Sequence, residues 1–461
     1  MRIRRHHISK EKGNDAMTIP FHVSSATRGV NSRRRRRRLG WKPLATTCVL
    51  ATLAGTLAAC GSSGSGSASG SGSSITLTEI DDYPAGLPQY AAYQWLFNAY
   101  EKAYPNVKIV RQSVSGTEIL PKLLSEAQTH TLPDLAVPDN PNLPNLEATQ
   151  QFVNLSPYLT KWGQWSSYLP GAQAVATNST GTYGILIGTN DLGIFYNKKI
   201  FAEAGITTLP TTWAQLLSVS KTIVSKVPGL TYGAIGVGGN CGGNWQLLPW
   251  VYQQGLNVNQ LTAPGMANAV NFWAQLLKEG LANKEIITQC QSTNIPQLVD
   301  GKLAMVEDGP WDLPTFTSDN FSDWGAFQIP LSSATDKESV PLGGEVWMIP
   351  KTNSATEQAA WNFIQWSQSP QILLQFDAKL GYFSVRPSLW PAEEKATPAI
   401  TPFINELKYA EGRTTVLGAN FATYSTDLNT ALAQVLEGQK SATDALSEAA
   451  AAAKSSIGSG G

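Results

Sequence analysis

From residue 75 onward, short β-rich runs alternate with segments of helical periodicity, and this limits the chain to sheets whose strands are joined through helices. "ITLTEI" (75–80) has the period-two pattern of a strand, and "YAAYQWLFNAYEKAYP" (90–105) spaces its apolar residues as a helix does and stops at Pro105. "NVKIVRQSV" predicts the next strand, "TEILPKLLSEAQ" (117–128) a helix, and "PDLAVPD" (133–139) a short strand. Two more β-rich runs flank a polar "TND" in residues 182–201, and Thr212 and Gln215 have the spacing of a capping box that opens a helix. Residues 264–280 and 355–370 read as helices, 301–311 as a strand entering a tight turn, and 343–350 as a strand. Two helices close the pattern at 425–438 and 441–454, the second with Ser441 and Asp444 at capping spacing. There is no internal repeat. The expected class is α/β, with mixed sheets flanked by helices.

The chain changes character at Cys60. Thirteen of its 34 Lys and Arg but only two of its 34 Asp and Glu precede that residue, which leaves 21 basic against 32 acidic side chains, a net of −11, for the remainder. An acidic body argues against a nucleic-acid partner. Before it, "RRRRRRLGWK" (33–42) leads into an apolar run over 44–59. That run is shorter than the ~20 residues of a membrane-spanning helix, and its order of basic, apolar and small residues is that of a secretory signal. "LAAC" (57–60) resembles a bacterial lipobox, which implies cleavage before Cys60 and a lipid on its thiol. The alternative is an ordinary signal cut near Ala59 with Cys60 incidental. Residues 1–59 are therefore expected to be a signal with a basic extension, and 60–74 a lipidated cysteine with a Gly/Ser tether. A start at Met17 and a twin-arginine export route stay open. Cys241 and Cys290 remain as a pair in an oxidising compartment, which favours a disulfide over two buried thiols.

Much familiar chemistry is missing. His6, His7 and His22 precede the lipobox and only His130 follows it, so multi-histidine metal sites are unavailable. There is no H-E-x-x-H, no G-x-S-x-G and no phosphate-binding G-x-x-x-x-G-K-[ST]. No catalytic residue, metal ligand or cofactor is predicted. What stands out is tryptophan beside glycine and small polar groups: "GGNW" (Trp245), "DGPW" (Trp311) and "GGEVW" (Trp347). Trp273, Trp361 and Trp366 fall in helical patterns and are expected in the core. An indole in a loop offers a flat apolar face to a pyranose ring, and Asp82, Asp139, Asn140, Asn190, Asp191 and Glu345 offer partners for its hydroxyls.

"YGILIGTNDLGIFYNKKIFAEAGITTLPTTWAQL", "GKLAMVEDGPWDLP", "GGEVWMIPKTNSATEQAAWNFIQWSQSP" and "GYFSVRPS" together resemble the family 1 extracellular solute-binding proteins, the sugar-capturing lipoproteins of ABC importers. The likeness runs in the family's order over most of the chain after Ile75. It implies a two-lobed periplasmic-binding-protein-like fold of type II, with lobe one at 75–187 and 329–380 and lobe two at 188–328 and 381–461. It implies a sugar or oligosaccharide held in the interlobe cleft by a monomer, delivery to a membrane permease, and an extracytoplasmic, lipid-anchored location. Trp311 resembles the family's sugar-stacking residue. Trp245, Asn190, Asp191, Gly344, Glu345, Trp347, Asp82, Tyr83, Asp139 and Asn140 occupy positions that face the cleft by the same resemblance, as do Arg386 and Tyr424. The "IDDYPAG" loop (80–86) departs from the family's tryptophan-bearing version, and the Cys241–Cys290 pair is not a general family feature. A secreted glycoside hydrolase is the alternative, and would need two opposed carboxylates across the cleft. An adhesive structural lipoprotein would need neither hinge nor cleft.

Overall fold

The structure is a computed structural model and describes residues 74–238, 243–287 and 291–458. The signal, Cys60, Cys241 and Cys290 lie outside the described residues. Ile75–Asp81 is the middle strand of a parallel three-stranded sheet, with Val107–Ser113 on one side and Leu135–Val137 on the other. Parallel neighbours need crossovers, and helices Pro88–Ala103 and Ile119–Thr129 supply them. The first begins with proline, whose missing N–H falls where a helix has no acceptor for it. It buries Tyr93, Leu96, Phe97 and Tyr100 on one face. In Val107–Ser113, Val107 and Ile109 are buried while Lys108 and Val110 face out, because successive side chains point to opposite faces and only one face packs on the core.

A second, mixed sheet runs in the order Trp324–Phe327, Gly193–Asn197, Met305–Asp308, Ile235–Gly236. Its first two junctions are antiparallel and the last is parallel. Local sequence sets several boundaries. Gln215 donates its N–H to Thr212 Oγ1 at 3.3 Å and accepts from the Thr212 N–H at 3.2 Å, the reciprocal capping box. The β-rich reading up to Phe201 stops short, because the Asn197 side chain accepts from the N–H groups of Lys199 and Ile200 and turns Lys198–Ala204 into a helix. Ser441 Oγ accepts from the Asp444 N–H at 3.1 Å at the start of the last helix, Ala442–Gly458.

Two hydrophobic cores result. The first includes Tyr93, Phe97, Trp347, Phe363 and Phe376, and the second Trp213, Trp250, Phe272 and Trp273. Trp361 and Trp273 are buried in them, as their helical positions predict, and Trp366 packs on Tyr100 at 5.1 Å. The connection between the cores is made of three segments lying side by side. The Ile187 N–H donates to Glu345 O at 3.1 Å, Thr189 and Phe383 exchange N–H···O bonds at 2.8 Å, and Asn190 pairs with Gly343. The approach is close enough to demand glycine. Gly344 has φ +114°, and a Cβ there would sit 2.7 Å from Gly188 O. The strand read over 343–350 is realised as Val346–Trp347 paired with Ile185–Leu186, flanked by isolated bridges to Ala136, Asp139 and Phe152. The chain changes partner as it crosses the molecule, so no single ladder extends far. Among the described residues no helix is long and apolar enough to cross a membrane.

Candidate binding cleft

A cleft of about 690 Å³ opens over the crossing segments, with walls drawn from elements packed on both cores. Trp311 stands on the short turn Pro310–Asp312, reached directly from strand Met305–Asp308. Its ring folds back over Gly309, where a Cβ would come within 2.1 Å of the indole, so only glycine leaves room for this pose. From the other wall, Gln89 at the start of helix Pro88–Ala103 donates to Trp311 O at 2.9 Å. Trp245, in the first turn of helix Gly243–Tyr252, is half-buried, and the Arg413 guanidinium lies 4.4 Å from its ring centre. Arg413 also pairs with Asp139.

The floor is acidic and short of donors. Glu345 Oε1 accepts from Tyr83 Oη at 2.7 Å and Tyr382 Oη at 3.1 Å, while Oε2 is buried without a partner. Burial raises the Glu345 carboxyl to about 7, the Asp139 charge adds to this, and the two tyrosine hydrogen bonds oppose it. Asp82 is raised well above the carboxylate range by burial first, then by the charges of Glu345 and Asp139; its Oδ1 has no partner. Asp312, beside Trp311, is raised in the same way by burial and by Asp308, and its Oδ2 is also unpartnered. Of these, Glu345 and Asp312 line the cleft, and their unpartnered oxygens suit a hydrogen bond from a hydroxyl or an amine entering it. Among the described residues no group of three or more His, Cys, Asp or Glu could hold a metal ion.

Seven of the sequence-predicted residues meet here: Trp311, Trp245, Asn190, Gly344, Glu345, Tyr83 and Asp139. Asp82 is buried at the rim beside them. Five others are placed elsewhere, each for a geometric reason. Trp347 is fully buried, its ring edge-on to Phe363 at 5.1 Å, because the strand carrying it lies inside the first core. Asp191 is buried next to Glu406 rather than in the cleft, since neighbours on an extended segment point to opposite sides. Asn140 is buried, and its side chain donates to Gly344 O at 2.9 Å, holding the crossing backbone. Arg386 donates to Gln164 Oε1 at 3.0 Å and to Gln368 O at 3.4 Å, tying loops together outside the cleft. Tyr424 faces the second core, whereas Phe421 and Ser425, one turn apart on the same helix Phe421–Leu436, line the cleft. His130 is an exposed, left-handed helix cap at φ 56°.

Sequence reasoning missed Arg413, Tyr382 and Gln89. Tyr382 sits in the quoted "GYFSVRPS" and could have been chosen. Arg413 has no motif around it, and its partner Asp139 is 274 residues away.

A two-lobed α/β architecture with an aromatic, acidic cleft over crossing segments defines a solute-binding protein. The family model for bacterial extracellular solute-binding proteins matches residues 95–402, and the chain belongs to that family. Solved structures share the fold. The maltose-bound MalE3 of T. maritima superposes with a TM-score of 0.74 at 19% identity, over 83% of this chain and 99% of that one. The GacH receptor of Streptomyces glaucescens, solved unliganded and with acarbose, gives 0.72 at 21%, over 82% and 97%. The cyclic alpha-maltosyl-1,6-maltose binding protein of Arthrobacter globiformis gives 0.68 at 21%, over 83% and 98%. No curated protein matches the chain in sequence.

Proposed function

We propose that this chain captures a sugar or oligosaccharide in the interlobe cleft and delivers it to the permease of an ABC importer. The observation that carries the reading is Trp311, a rigidly seated indole open to a cavity of about 690 Å³ whose other walls hold unpartnered carboxyl oxygens. The indole face suits the apolar C–H face of a pyranose, and the carboxyl oxygens suit its hydroxyls. Asn190, Tyr83, Asp139 and Glu345 are the polar contacts in this proposal, Asp82 a rim contact, and Trp245 a second aromatic wall. The solved relatives named above, with their maltose, acarbose and cyclic maltosyl-maltose ligands, support the same class. Closure is driven only by the sugar's greater affinity for the closed form, in which it touches both walls. The lobe limits proposed are 75–187 with 329–380 and 188–328 with 381–461.

Export, cleavage before Cys60 and lipid attachment there belong to the same proposal, as does a Cys241–Cys290 disulfide. The tether would hold the binder near its permease and raise its effective concentration. A thermal-shift screen across neutral mono- and oligosaccharides tests the reading. A ligand at about 100 times its Kd adds about 2.7 kcal/mol of stability. Stabilisation by one sugar class, with the sugar recovered uncleaved, is the expected result. Cleavage would favour the hydrolase alternative, and no shift with any sugar would overturn the assignment.

A further inference from the structure

Tyr382 belongs to the linings of both the cleft and a second cavity, of about 700 Å³, that has no part in the reading above. Helices Leu313–Ser318, Pro370–Leu380 and Trp390–Ala396 wall this second cavity. Phe316, Phe321, Trp324 and Phe383 give it aromatic faces, with Phe316 5.4 Å from Phe321 and 5.5 Å from Trp324. Thr317, Asn320, Ser322 and Thr397 add neutral polar groups, and two carboxyls also belong to the lining. Asp377 is 0% exposed and neither of its oxygens has a partner. Glu393 Oε1 accepts from the Ser384 N–H at 2.8 Å, while Oε2 is buried and unpartnered. Burial raises Asp377, and the charge of Glu393 raises it further. Among the described lining residues none is Lys, Arg or His.

Buried carboxyls without donors are costly, and native folds seldom leave them without a compensating partner. Apart from the Ser384 N–H on Glu393 Oε1, the chain supplies these oxygens no donor, so the compensation fits a ligand that brings both positive charge and N–H donors. Aromatic walls select the rest of that ligand: they attract a cation by its charge and pack an apolar body. A metal ion fits less well, because no group of three or more acidic, His or Cys side chains suited to a metal occurs among the described residues. We propose that this cavity is a second binding site, for a primary organic ammonium with an apolar body, held by Asp377 and Glu393 and stacked on Phe316, Trp324 and Phe383.

Calorimetry on the purified protein with phenethylammonium chloride tests this, with 2-phenylethanol as the neutral isostere. The expected result is one ammonium bound per chain, with the alcohol at least tenfold weaker. Asp377→Asn should weaken the ammonium at least tenfold. Ala396→Trp, at an exposed position of the cavity lining, should block it while the melting temperature stays near that of the parent, and this keeps the test intact if the Asp377 variant fails to fold. Trp311→Ala, in the cleft, should leave ammonium binding unchanged. The proposal is overturned if the alcohol binds as tightly, if Ala396→Trp binds like the parent, if Trp311→Ala abolishes binding, or if no ammonium binds.

Discussion

The Arg413 guanidinium lies 4.4 Å from the centre of the Trp245 ring and pairs at the same time with Asp139. Asp139 follows the third strand of the parallel sheet, and Trp245 opens a helix packed on the second core, so one side chain touches both walls. It is also the one Lys or Arg among the described residues lining the cleft, where Asp139, Asp312 and Glu345 bring three carboxyl groups. One face of Trp245 is thus already covered by a cation, which leaves Trp311 as the freer stacking surface.

Arg413→Met removes the positive charge and leaves Asp139 beside two other acids. Because the pair is only partly exposed, the loss should be about 1–3 kcal/mol by urea unfolding. Asp139→Asn in the Arg413→Met background should recover part of it. Strict additivity in this double-mutant cycle would show that the two side chains do not couple.

Trp311→Ala removes an apolar platform without stranding any hydroxyl. Sugar affinity should fall by roughly 2–4 kcal/mol, about 30-fold to nearly 1000-fold, at unchanged foldedness. Trp361→Ala, by contrast, empties part of the first core and should cost about 3–5 kcal/mol of stability with little direct effect on affinity. Calorimetry on folded variants separates the two, and the reverse pattern would refute this division of the tryptophans.

Asn190 borders the cleft where it forms an isolated bridge with Gly343. Asn190→Ala should leave a sugar hydroxyl unpaired and change discrimination between epimers more than the overall apolar contact. Equal weakening for every epimer would argue that Asn190 makes no direct contact.

Glu345 titrates at about 7 instead of its ordinary 4.5, chiefly through burial. The native state therefore keeps a proton that the unfolded chain releases, and this group lowers stability progressively as pH rises from about 4.5 to about 7. Glu345→Gln keeps an acceptor for Tyr83 and Tyr382 and removes the titration. Its urea midpoint should fall less between about pH 5 and pH 7.5 than that of the parent. Parallel midpoint curves would mean that Glu345 does not carry this dependence.

Cys60→Ser should abolish lipid labelling and move the protein to the soluble fraction, and unchanged membrane retention would sink the anchor. In that variant, thiol titration of denatured, unreduced protein should find Cys241 and Cys290 unreactive. Two free thiols there would refute the disulfide.

Strand and helix identity was legible because it is local. The alternation over 75–137 sets the parallel sheet, and Thr212 with Gln215 sets a helix start, each within a few residues. The Trp311 loop was legible for the same reason, since a strand, Gly309 and Pro310 fix the indole's pose at short range. Trp347 was misjudged because glycine before an indole says nothing about which core lies above it.

The periodicity of apolar residues determined the layers, and the ordered motifs together determined the family. What the cleft contains was decided only when the chain closed on itself. Arg413 reaches Asp139 across 274 residues, and Tyr382 reaches Tyr83 across 299. Asn190 enters the cleft while Asp191, the next residue, is buried away from it. Side-chain direction on an extended segment reverses at every residue, so a register set by distant partners, here Gly343 and Phe383, chooses which polar group meets the ligand.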